Sequence, residues 1–121
     1  GKGGKSLVFL CPNELPFLQV LKARKLPMEG LRTVGSPPPL LASIRAVLRG
    51  DRDLLNKSER AYVSTVRGYR EHRCEAVFKL GELDLAGLAI AFGMMRLPYM
   101  RELLQAGAKA VRRQLVLEGF E

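Results

Sequence analysis

With 121 residues, 47% of them apolar and 26% charged, the chain has room for one domain, or for a small domain plus part of another. That balance is ordinary for a folded chain and excludes wholesale disorder. The 20 Lys and Arg against 12 Asp and Glu give a formal charge of +8, which favours a polyanionic partner, nucleic acid first, over an inert basic surface.

Cys11 and Cys74 stand far apart without metal-ligand spacing, so a disulfide scaffold is excluded and a reducing compartment is the default. The longest apolar run, Leu85 to Met95, is short of the ~20 residues that span a bilayer. The basic, glycine-rich start lacks the apolar core and cleavage pattern of a secretory signal. No membrane partner is expected.

Gly1 to Ser6 contains Gly-Lys-Ser, as a phosphate loop does. A Walker loop follows a strand and opens a helix, whereas here the apolar run Leu7-Val8-Phe9-Leu10 comes after the glycines, so that reading is rejected. Four apolar residues without alternation predict a strand buried on both faces, as in a parallel sheet. Leu31 to Val34 is the one weak candidate for a neighbour. The chain therefore reads as the tail end of a longer protein.

A helix is predicted after Cys11-Pro12, with Asn13 as cap, Glu14 at its positive end and Pro16 in the first turn. Leu15, Leu18 and Leu21 give it a short apolar face. Lys22, Arg24, Lys25 and Arg32 against Glu29 leave the following loop basic. Pro27 breaks the helix, and Gly35-Ser36-Pro37-Pro38-Pro39 predicts a stiff linker.

From Leu40 the spacing of Leu41, Ile44, Val47 and Leu48 predicts a helix that Gly50-Asp51 stops or bends. Asp51 or Asp53 starts the next, which runs to about His72. On its wheel Tyr62, Val66 and Tyr69 share one face with Val63 at the edge, a pattern that reads first as core. Arg60, Ser64, Arg67 and Glu71 occupy the opposite face, with Arg70 on the shoulder. Between Ile44 and Arg73, Arg45, Arg49, Arg52, Lys57, Arg60, Arg67, Arg70 and Arg73 outnumber Asp51, Asp53, Glu59 and Glu71. The bland reading is a solvated face. The functional one places arginines on phosphates, fixing register without reading sequence.

Asp84 then caps a helix in which Leu85, Leu88, Ala89 and Phe92 follow helical spacing. Ala86, Gly87 and Ala91 would admit a neighbouring helix closely, and Gly93 is a natural stop. A last helix from Tyr99 would carry Met100, Leu104, Val111 and Leu115 on one side, with Arg101, Gln105, Lys109 and Arg112 on the other. Gly107 weakens that pattern. His72 has only Cys74 nearby and reads as exposed or capping. Glu71, Glu75, Glu82 and Asp84 are scattered. No enzymatic constellation is present, and the chain alone is expected to be catalytically inert.

Gly1 to Pro12 resembles the end of the second RecA-like domain of DEAD-box RNA helicases. Arg60-Ala61-Tyr62-Val63-Ser64, Val66-Arg67-Gly68-Tyr69, His72, Phe78, Leu83-Asp84-Leu85, Leu88-Ala89 and Phe92-Gly93 are similar to the helical C-terminal extension of one subgroup. That subgroup acts in large-ribosomal-subunit assembly in the nucleolus, and Met95 to Met100 fits its branch that remodels pre-ribosomal RNA. The likeness covers roughly residues 1 to 100, and the tail from Arg101 departs from it.

The resemblance implies a mainly α fold: the last strand and helix of a RecA-like α/β domain followed by a small helical extension. Residues 1–34 would end the RecA-like domain, 35–39 form a proline-rich linker, 40–100 the extension and 101–121 a terminal helix or tail. It implies a parent ATP-dependent RNA helicase using ATP and Mg, with every catalytic residue upstream of Gly1. Its partners would be pre-ribosomal RNA and pre-ribosomal particle proteins. Of the RNA-binding candidates, Arg67 comes from motif position, while Arg60, Arg70, Arg73, Lys79 and Arg96 come from charge. The alternative is a non-catalytic helical module that docks on a protein through its basic faces and the Met94–Met100 segment.

Overall fold

The computed structural model describes residues 2–33, 35–36 and 38–105. It contains α1 (Phe17–Ala23), α2 (Leu41–Gly50), α3 (Arg52–Arg70), α4 (Leu85–Ala91) and α5 (Arg101–Gln105), with single 3-10 turns at Pro12–Glu14 and Leu80–Glu82. The mainly α expectation holds for these residues. Lys109, Val111, Arg112 and Leu115, assigned above to a last helix, lie outside them, as do Val34 and Pro37.

α3 is the element on which the others rest. Asp51 has extended backbone, and its Oδ1 accepts the N–H groups of Asp53 at 2.9 Å and Leu54 at 3.1 Å. These two bonds satisfy donors that a helix start leaves unpaired. Tyr62 and Val66, one turn apart, are fully buried, with Tyr69 half-buried on the same face. α4 covers that face with Leu85, Ala86 and Ala89, and Met94, Met100 and Leu103 complete the core. The Tyr62 hydroxyl donates to the Leu85 carbonyl at 3.0 Å, so burial of the ring leaves no orphaned polar group. Ser58 Oγ donates to the Phe92 carbonyl at 2.6 Å and closes the far end of α4.

Asp84 caps α4 by accepting the Gly87 N–H at 2.9 Å. The absence of a side chain at Gly87 serves this cap rather than the close helix approach expected from the sequence, because a Cβ there would strike the Asp84 carboxylate. Gly93 ends the helix at φ 68°, in the left-handed region, and a Cβ on it would stand 2.6 Å from Leu48 Cδ1 and 2.9 Å from Ile44 Cγ2. It is therefore glycine for two reasons, conformation and the close passage of α2.

The N-terminal part departs from expectation. Among the described residues no strand forms, and Leu7 and Phe9 are 64% and 85% exposed. A strand buried on both faces needs a ladder on each side, and the described residues supply neither; Leu31, in the candidate neighbour, is 80% exposed. Asn13 does not cap α1. It lies inside the 3-10 turn, and the helix starts after Pro16. Phe17, Val20 and Leu21 are its half-buried residues, while Leu15 and Leu18 face outward. Leu15 precedes the helix, and within it Phe17, Val20 and Leu21 form the inward i, i+3, i+4 set that excludes Leu18. Phe17 packs edge-on against Phe78, with ring centroids 5.1 Å apart.

Candidate nucleic-acid interface

Arg60, Arg67 and Arg70 project from α3 as its sequence requires, since a face built on Tyr62 and Val66 turns these positions away from the core. All three are exposed. The structure adds a carboxylate among them. Glu102, at the start of α5, is buried, and its Oε1 lies 2.8 Å from Arg70 Nη1 and 3.4 Å from Arg67 Nε. Its own backbone N–H holds its carboxyl below the usual range against the opposing effect of burial, and the Arg70 and Arg67 charges add to the lowering. Oε2 is covered and has no hydrogen-bond partner among the described residues. Arg70 also reaches Glu71 at 3.5 Å.

The other candidates are dispersed. Lys79 stands 4.0 Å from Glu82, and Arg73 is exposed with no ion pair among the described residues. Arg96 comes back to α3, where Nη2 lies 3.7 Å from Glu59 Oε2, and this brings it beside Arg60. Between them runs an open groove of about 560 Å³, lined by Asn56, Glu59, Arg60, Val63, Ser64 and Arg96. The predicted basic surface thus divides into an Arg67–Arg70 pair tied to Glu102, an Arg60–Arg96 groove, and outlying Arg73 and Lys79. Glu102, Asn56 and Glu59 were not among the sequence candidates. Asn56, Arg60, Val63 and Ser64 recur at helical spacing, but nothing in the sequence brings Arg96 to them.

Two further expectations change. Met94 and Met100 are buried, so the Met94–Met100 segment does not present these side chains to a partner. On α5 the core-facing residue is Leu103, three residues after buried Met100, and Leu104 is exposed. His72 does cap a turn: its Nδ1 accepts the Cys74 N–H at 3.0 Å while its ring tilts against Phe78 with centroids 4.1 Å apart. A second buried carboxylate, Glu14, accepts the Cys11 N–H at 2.8 Å and the Tyr69 hydroxyl at 3.2 Å. Burial pushes the Glu14 carboxyl up, but hydrogen bonds from Cys11 and Tyr69 outweigh it and the net direction is down. Burial, reinforced by Glu14, pushes the Tyr69 phenol up to about 12.

The described residues do not fit ATP and Mg. Lys5 and Ser6 lie in exposed, irregular chain with no helix beginning directly after them, as a phosphate loop requires. Among the described residues no group of three or more His, Cys, Asp and Glu is placed to hold a metal. No described helix is long and apolar enough to cross a membrane.

Comparison with known proteins decides the family. Residues 51–100 match the C-terminal extension of SPB4-like ATP-dependent rRNA helicases. These residues, which contain α3 and α4, belong to that family. The chain is also 38% identical over 104 residues to the ATP-dependent RNA helicase DDX55 of Bos taurus, an alignment covering 85% of this chain and 17% of the relative. With human DDX55 the identity is 36% over 104 residues, covering 85% and 17%. With DEAD-box ATP-dependent RNA helicase 18 of Arabidopsis thaliana it is 32% over 105 residues, covering 87% and 18%. The chain thus spans less than a fifth of each of these relatives.

Proposed function

We propose that this chain is the C-terminal, RNA-anchoring portion of an ATP-dependent DEAD-box RNA helicase that remodels pre-ribosomal RNA during large-subunit assembly in the nucleolus. The observation that carries the reading is the match of residues 51–100 to an rRNA helicase extension, coupled to the cations that α3 holds outward. In this reading residues 1–34 close a RecA-like domain, 35–39 link it, and 40–100 form the extension. The exposed Leu7 and Phe9 then meet sheet and helices contributed by the rest of that domain. ATP and Mg bind to the upstream domains, and pre-ribosomal proteins surround the complex.

The extension supplies position. Arg60, Arg67, Arg70, Arg73, Lys79 and Arg96 together give this surface a positive field that draws RNA by its phosphates, so that the upstream motor acts repeatedly on one locality. The test is a salt titration of the 121-residue chain on a fluorescein-labelled cytidine decamer, read by anisotropy. Affinity should fall with a log–log slope of about −0.7 for each phosphate neutralised. Failure to bind, or binding indifferent to salt, would overturn the reading.

A further inference from the structure

The basic positions are not equivalent, and the difference locates the RNA more closely. Arg67 and Arg70 share a carboxylate that is buried, with the Arg70 contact at hydrogen-bond length. Drawing both away to a phosphate would leave Glu102 buried without its counter-charges, an expensive state. Arg96 is held by much less. Its separation from Glu59, 3.7 Å, exceeds hydrogen-bond length, and its side chain is 72% exposed. Arg60 makes no ion pair among the described residues. These two guanidiniums are available to a ligand, and both line the same groove.

The remaining lining suits a nucleotide better than a bare phosphate. Asn56 and Ser64 offer donors and acceptors, Val63 gives an apolar floor, and Glu59 offers a carboxylate acceptor. When a phosphate draws Arg96 off, Glu59 needs a new donor, which the exocyclic amino group of a base provides. The volume, about 560 Å³, falls in the range of small-molecule sites. Asn56, Arg60, Val63 and Ser64 form one side of the long capped α3, so this wall is in place before any ligand arrives.

We infer that this groove seats one nucleotide of single-stranded RNA, its phosphate on Arg60 and Arg96 and its base over Val63 against Asn56, Glu59 and Ser64. The inference rests on the RNA-binding reading above and specifies where that binding is read out. Glu102, by engaging Arg67 and Arg70, keeps the neighbouring arginines as attachment points for α5.

The experiment uses the 121-residue chain with two probes, the cytidine decamer and an abasic ribose-phosphate decamer of equal length. Arg60→Ala with Arg96→Ala should weaken both probes about tenfold or more and reduce the salt slope by about 0.7, one phosphate's worth. Asn56→Ala with Ser64→Ala should weaken the cytidine decamer about fivefold and leave the abasic decamer unchanged. Arg52→Ala with Lys57→Ala removes the same amount of charge from elsewhere on α3 and should cost less on either probe. Far-UV circular dichroism checks that every variant keeps its helices, as expected for exposed positions. If the Arg60–Arg96 variant loses no more than the Arg52–Lys57 variant, the groove is not the seat, while the RNA reading survives. If Asn56→Ala/Ser64→Ala leaves cytidine binding intact or weakens both probes equally, no base is held and the nucleotide assignment falls. If the unaltered chain binds neither probe, the RNA reading fails and the groove with it.

Discussion

Residues 2–33 and 41–105 both carry bulky apolar side chains but place them oppositely. Tyr62, Val66, Ala89 and Met94 are sealed between α3, α4 and the segments that flank them. In the first region Leu7, Phe9, Leu26 and Leu31 face outward. The contrast follows from layers. Amphipathic helices cover one another with one face each, whereas an unalternating apolar run requires a sheet on each side. One junction couples the regions, where Glu14 meets Tyr69 and Phe17 meets Phe78.

The largest test of this contrast pairs two truncations. Met94→Ala empties a site that is 2% exposed and should cost about 2–5 kcal/mol in urea unfolding. Phe9→Ser removes a larger side chain from solvent and should change stability by less than about 0.5 kcal/mol. Equal effects would mean that the two regions fold as one core. Gly93→Ala comes next, at about 2 kcal/mol or more. The left-handed backbone accounts for ~1–2 kcal/mol, and displacement of Leu48 and Ile44 adds to it. In a double-mutant cycle with Leu48→Ala, the coupling energy should report the part due to contact with Leu48, and the part due to φ should remain.

The junction can be opened by pH. Glu14 has a lowered carboxyl pKa, so its contribution is complete above the ordinary value of 4.5 and is lost as pH falls through the folded value. Tyr69 is raised from 10 to about 12, so its contribution is complete below 10 and is lost as pH rises through about 12. Between these limits Glu14→Gln should cost about 1.5–3 kcal/mol, the value of a hydrogen bond to a charged group, and should flatten the acid limb. Limited proteolysis across Lys22–Lys25 should accelerate in that variant while the α3–α4 core stays resistant.

What the sequence disclosed divides along the same line. Asp51 and Asp84 were legible as caps because capping depends on neighbours two or three residues away. Tyr62 and Val66 were legible as core by spacing. Glu102 with Arg70, 32 residues apart, and Glu14 with Tyr69, 55 apart, leave no local periodicity, and neither pair was foreseen. The candidate cations were found one by one from charge. Their sorting into a groove and a clamp depends on where Arg96 and α5 return to α3, which only packing decides.

A small expected gain probes whether the junction couples α1 to the core. Lys25 follows α1 at φ 60°, the left-handed conformation that a side chain disfavours. It is held there because the Leu26 N–H donates to the Leu21 carbonyl at 2.9 Å and the Lys25 N–H to Lys22 at 3.0 Å, the bonds that close the helix end. Lys25→Gly relieves the strain, but it also gives the unfolded chain more freedom, so the net gain should be about 0.5–1 kcal/mol. Where that gain registers is informative. If Glu14 and Phe17 bind α1 firmly to α3, it should raise the midpoint of the whole cooperative transition. If α1 opens by itself, the gain should slow amide exchange in α1 alone and leave that midpoint fixed. Repeating the measurement in the Glu14→Gln background should move the first outcome toward the second.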